Sequence, residues 1–170
     1  MSRRTEGIAT LSRAATPTIL GLIGVILLAF PLRLAEGLAP TPLLPLVVVF
    51  FWTIYGPGLL PAASVFLIGL LQDFLSGGPL GLWPAVYLVT QYVVASQRGY
   101  FLGREQRVVW LGFVFAAAGA AFVLWMVMSL MTRTLLPLGG VFWQMAATIA
   151  VFPLFSAAFR QLHRRVLREA

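Results

Sequence analysis

The chain of 170 residues has no cysteine, and only 10% of its residues are charged. Without thiols it has neither a disulfide framework nor a thiolate metal site, and its own side chains offer no redox couple. Lysine is absent as well, so every one of the 12 basic residues is an arginine. Titratable groups are scarce: Glu6, Glu36, Asp73, Glu105, Glu169 and a single histidine, His163. An enzyme needs such groups to converge, and these are scattered. His163 sits in "RQLHRRVLREA" among arginines, as a solvated tail residue would, and Glu105 and Glu169 lie where weak surface pairing is the ordinary expectation. No Gly-x-Ser-x-Gly elbow, phosphate loop or metal-ligand spacing occurs. The chain is therefore expected to be no enzyme and to carry no cofactor and no metal.

What remains is apolar. At 60% hydrophobic residues and a mean hydropathy of +0.93, the chain has more apolar surface than one soluble core can hide, which makes lipid its solvent. A net charge of +7 then speaks of membrane sidedness and anionic lipid rather than of nucleic acid. The charges cut the sequence into uncharged runs at 14–32, 37–72, 74–97, 108–132 and 134–159. Four of them suit one helix each, because a crossing takes about 20 apolar residues. The run 37–72 is too long for one and is broken at "YGPG", Tyr55 to Gly58, a cluster that reverses a chain. It reads as a hairpin of two short helices.

The arginines test this count. Six crossings with the N-terminus inside put Arg3, Arg4, Arg13, Arg98, Arg104, Arg107, Arg160, Arg164, Arg165 and Arg168 in the cytoplasm, against Arg33 and Arg133 outside. Five crossings distribute them less unevenly. A cleaved signal peptide over residues 1–39 fits worse, since no clean small-x-small site precedes Glu36 and an odd number of spans would remain. The expected fold is an all-α polytopic membrane protein with both termini in the cytoplasm. Its layout is a basic stub 1–15, a six-helix domain 16–159 with spans near 16–33, 40–56, 58–73, 80–97, 108–131 and 138–159, and an Arg-rich cytoplasmic tail 160–170.

Two stretches carry more than hydropathy. In "LIGLLQDFLSGGPLGLWP", residues 67–84, Asp73 closes the third expected span, Ser76-Gly77-Gly78-Pro79 breaks the helix, and Leu80-Gly81 begins the fourth. An acid at that depth is costly unless it reaches the interface or a partner, and Arg33 and Arg133 are the basic residues expected on its side. It can also mark the membrane boundary and accept hydrogen bonds from amides of the turn. In "LGFVFAAAGAAFVLW", residues 111–125, Gly112, Ala116 and Ala120 recur at helical spacing beside Gly119, a smooth stripe that suits close helix packing in lipid. That helix belongs to the same chain, to a partner or to a second copy of this protein.

The motif "GLLQDFLSGGPLG", with the hairpin "PLLPLVVVFFWTIYGPGLLPAASVFLIGLL" leading into it and an Arg-rich loop beyond the next span, resembles the MreD family of bacterial rod shape-determining proteins. The residues that carry the resemblance are Gly69, Asp73, Gly77, Gly78, Pro79 and Gly81. It implies a non-enzymatic scaffold of the cell-elongation and peptidoglycan-synthesis machinery in the inner membrane. Such a scaffold binds MreC, a single-span protein with a periplasmic domain, and works beside the actin-like MreB filament, the RodA glycosyltransferase and its transpeptidase. It also implies a fold similar to the substrate-binding subunits of energy-coupling-factor transporters. The alternative is a small-molecule binding or transport subunit with a pocket near the outer face, lined by Asp73, Trp52, Tyr55, Trp83 and Tyr87. The arginine distribution yields a direct expectation: a reporter that fluoresces only in the cytoplasm, fused to Ala170, gives signal, and a stable but dark full-length fusion contradicts the layout.

Overall fold

"LPLVVVFFWTIY", Leu44–Tyr55, has no polar face, and a helix that is apolar all round belongs inside a protein. In the structure, a computed structural model that describes residues 16–28, 41–135 and 137–168, this helix is the axis of the bundle. Every residue from Pro45 to Ile54 on it is buried. The expected stub 1–15, Arg33 and Glu36 lie outside the described residues.

Among the described residues the fold is all helical. The helices are α1 (Thr16–Leu28), α2 (Leu44–Tyr55), α3 (Ala62–Ser76), α4 (Leu82–Ser96), the short α5 (Arg98–Phe101), α6 (Gln106–Thr132) and α7 (Leu138–Arg168). Their ends follow from glycine and proline. Pro45 sits in the first turn of α2, where a missing N–H costs nothing, and "YGPG" gives a 3-10 turn at Pro57–Leu59. Extended Pro61 then starts α3, and Gly77 ends it in the left-handed conformation at φ +65°. The long uncharged run 37–72 is thus two helices, as its punctuation predicts.

Two segments, Gln106–Thr132 and Leu138–Ala158, are long and apolar enough to cross a membrane, which fits an α-helical membrane protein. The helices of the hairpin are shorter than the expected spans: 12 residues in α2 and 15 in α3. At 1.5 Å per residue they reach about 18–23 Å, less than a hydrocarbon core of about 30 Å. Pro42 and Pro45 limit the start of α2, and Gly56, Pro57 and Pro61 fall between its end and the start of α3. In α7 the helix runs through Pro153 and on to Arg168, so the backbone of the expected tail is a continuation of the last helix as far as that residue.

Interhelix bonds fix which ends lie together. The Leu43 N–H donates to Thr148 Oγ1 (2.9 Å) and Gln144 Nε2 to the Thr41 carbonyl (3.3 Å), joining the start of α2 to the first half of α7. At the opposite end Arg98 Nε donates to the Ile54 carbonyl (2.8 Å), Gln91 Nε2 to that of Leu60 (2.9 Å), and Gln106 Nε2 to Ser156 Oγ (2.6 Å). The end that holds Arg98, Arg104 and Arg107 is called the basic end below. The end with the α3–α4 and α6–α7 connections carries Arg133.

Aromatic rings fill the space between α2, α6 and α7. Phe113 and Phe152 stack at 4.2 Å, and Phe50 meets them edge-on at 5.2 and 5.7 Å, the geometry that the ring quadrupole favours. All three are fully buried. Small residues bring α1 in: Gly21 lies against Ile68 of α3, and Gly24 against the Leu44–Pro45 backbone. Truncating Phe50 removes contacts on every side, so Phe50→Ala is expected to destabilise the purified protein by about 3 kcal/mol. Phe122→Ala, at a position 59% exposed on α6, is expected to leave it nearly unchanged. Thermal unfolding in detergent compares the two.

Candidate functional site

α4 begins with a problem common to all helices: its first amides have no carbonyl within the helix to accept them. Its N-cap residue is Gly81, which has no side chain to do so. The acceptor comes from another helix. Asp73, in the last turn of α3 and 1% exposed, takes the Gly81 N–H on Oδ2 (2.6 Å) and the Trp83 N–H on Oδ1 (3.1 Å). A carboxylate at a helix N-terminus also meets the positive end of the helix dipole.

The rest of the motif makes this reach possible. An added Cβ at Gly69 would overlap the backbone of Trp83 and Pro84, so only glycine lets α3 and α4 approach so closely. Gly77 turns the chain and donates its N–H to the Asp73 carbonyl (3.1 Å). Gly81, at φ +93°, turns it again so that its N–H points back at the carboxylate. Between them Pro79 accepts the Leu82 N–H (3.3 Å), and Gly78 completes the turn. Gly69, Asp73, Gly77, Gly78, Pro79 and Gly81, which the sequence singles out, therefore form one corner.

Two details differ from the expectation. Arg133 is exposed at the C-cap of α6 and makes no ion pair with Asp73, whose partners among the described residues are backbone amides; Arg33 lies outside them. Of the aromatics expected beside Asp73, Trp83 alone borders the adjoining cavity. Trp52 is buried in α2, Tyr55 stacks on Phe51 (4.6 Å) at the basic end, and the Tyr87 hydroxyl donates to Gln72 Oε1 (2.5 Å) inside the bundle.

That cavity, of about 290 Å³, lies among α3, α4, α6 and α7 and is bordered by Asp73, Ser76, Trp83, Trp125 and Gln144. Trp125, Gln144 and Gln72 were not expected there or beside Asp73. A partial signal existed, since both glutamines interrupt apolar runs, but periodicity gives no reason to bring α6 and α7 to Asp73. No group of three or more His, Cys, Asp or Glu side chains suited to a metal ion occurs among the described residues. The chemistry open to the corner is recognition by a carboxylate, an amide and indole rings.

The stripe of Gly112, Ala116, Gly119 and Ala120 faces α4 of the same chain, but not in tight contact. Gly112 is closed over by the Phe101 ring, whereas a Cβ on Gly119 would meet nothing. A groove of about 320 Å³ separates the stripe from Val86, Val89 and Val93. Comparison with known proteins gave no matching family model, no matching curated protein and no matching solved structure.

The corner's geometry orders a set of variants. Asp73→Ala leaves the Gly81 and Trp83 amides without an acceptor and is expected to cost on the order of 2 kcal/mol or more, while Asp73→Asn keeps one acceptor oxygen and costs about half of that. Gly69→Ala pushes α3 from α4 and destabilises at least as much as Asp73→Ala. Thermal unfolding of the purified variants tests the order, and an Asp73→Ala protein as stable as the parent contradicts the capping role.

Proposed function

We propose that the chain is an MreD-like, non-enzymatic scaffold of the bacterial cell-elongation machinery, spanning the inner membrane six times with both ends in the cytoplasm. The observation that carries this reading is the Asp73 corner. The residues on which the resemblance rests are joined in one interlocked turn, where Asp73 caps α4 and Gly69 sets the helix spacing. A carboxylate spent on two amides suits a part that holds a shape rather than one that turns over a substrate.

In this reading the basic end faces the cytoplasm, in keeping with the arginine distribution. The Asp73 corner then lies toward the outer face, beside the membrane-proximal part of an MreC-like partner. MreB, RodA and its transpeptidase complete the assembly, and a second copy of the chain joins it if the MreC complex is dimeric. One observation favours a second reading, a small-molecule binding subunit: the cavity at Asp73 has the size of a modest ligand and offers a carboxylate, a glutamine and two indole rings.

Purification of the tagged chain from its own host, at native expression and in mild detergent, separates these readings. The scaffold reading expects a single-span protein with an extracytoplasmic domain to co-purify in a fixed ratio, and depletion of the chain to round rod-shaped cells. A small molecule retained without any protein partner, in cells of unchanged shape, replaces it with the second.

A further inference from the structure

We propose that the groove between α4 and α6 is a binding site for one acyl chain of an anionic phospholipid, whose headgroup rests on Arg104. The proposal rests on the chain lying in a membrane, not on the scaffold role. The groove's walls are Val86, Val89 and Val93 on one side and Phe115, Ala116 and Gly119 on the other. Thr90, also on the wall, spends its hydroxyl on the Val86 carbonyl (2.8 Å), so it presents little polarity.

Length decides the occupant. From Val86 to Gln97 on α4, and from Gly112 to Val123 on α6, each wall rises about 16 Å at 1.5 Å per residue. That is the depth of one leaflet, half of a hydrocarbon core of about 30 Å. A partner's transmembrane helix needs the full thickness and a wider bed, whereas a single acyl chain ends where this groove ends. The missing side chain of Gly119 and the short ones of Ala116 and Ala120 leave the room.

Charge decides the headgroup. The groove closes at Gln97 and Phe101, at the basic end. There the Tyr100 ring lies 5.6 Å from that of Phe101, and the Arg104 guanidinium sits 5.4 Å from the Tyr100 centroid. Arg104 and Arg107 are both exposed, and Glu105 is the one acid between Gln97 and Gly112. Arg98 donates its Nε–H to the Ile54 carbonyl (2.8 Å), whereas Arg104, stacked on Tyr100 beside Phe101, is the exposed arginine that the contacts tie to the groove's end. Guanidinium groups bind phosphate oxygens in pairs, and a phosphodiester with no compensating ammonium keeps its full charge for them.

Because the chain has no cysteine, one fluorophore can be placed at will. Phe115→Cys puts it on the groove wall and Phe122→Cys on the same helix outside the groove. Each labelled protein is reconstituted as the full chain in nanodiscs of phosphatidylcholine with increasing phosphatidylglycerol brominated along its acyl chains. The expected result is half-quenching at a lower phosphatidylglycerol fraction for the Phe115 label than for the Phe122 label. Arg104→Gln should weaken that preference about fivefold, the change that one arginine near an anionic surface brings, whereas Arg107→Gln, on the side of α6 away from the groove, should change it little. Gly119→Leu, whose Cβ meets no other atom and whose side chain occupies the groove, should abolish the preference and leave the unfolding temperature in place. Equal quenching at the two labels overturns the proposal. So does equal quenching of the Phe115 label by brominated phosphatidylcholine, or a co-purifying protein chain that shields that label and is released by Gly119→Leu. Should Gly119→Leu fail to fold, the two labels and the arginine variants still decide.

Discussion

A carboxylate accepting two backbone amides holds the α3–α4 hairpin, and much of the bundle's arrangement follows from it. Asp73 stands in the last turn of α3, while Gly81 and Trp83 stand at the first turn of α4, so the bonds clamp the second helix to the end of the first across a tight turn. Once α4 starts there, Gly69 meets Pro84, Gln72 meets Tyr87, and Gln91 reaches the Leu60 carbonyl at the far end of the same pair. In apolar surroundings an amide without an acceptor has no water to turn to, which makes this one residue's reach more consequential than it would be on a soluble protein's surface.

Around that hairpin the fold is organised by a contrast in burial. α2 is hidden on all sides, whereas α6 and α7 alternate buried positions such as Phe113, Ala117 and Phe152 with large exposed ones such as Phe115, Phe142 and Leu154. Exposed apolar side chains at that density fit a surface whose solvent is hydrocarbon. Burial of α2 is then driven by packing rather than by escape from water, and the interlocked rings of Phe50, Phe113 and Phe152 supply the close contacts that packing needs.

The two ends of the bundle carry different chemistry. At the Asp73 end, an acid, a glutamine and two indoles surround a cavity; at the basic end, an apolar groove runs out to Gln97 and Phe101.

Composition by itself pointed to lipid as the solvent, and α6 follows the run 108–132 closely, while α7 starts inside the run 134–159 and continues past it to Arg168. The punctuation at "YGPG" and the motif around Asp73 were equally legible, because glycine and proline act on the backbone locally. Tertiary structure alone decided what pairs with what. For Asp73 the sequence leaves two partners open, an arginine or the amides of the turn; the structure has the amides, because the turn from Gly77 to Gly81 brings two unsatisfied donors to the carboxylate. The small-residue stripe is expected to meet a helix and does face α4, yet across a groove, with the Phe101 ring lying against Gly112 at its end. Hydropathy says that α2 is apolar all round, which suits a buried axis and a lipid-facing span alike; that it lies at the centre depends on neighbours far away in the chain, and periodicity holds no record of them.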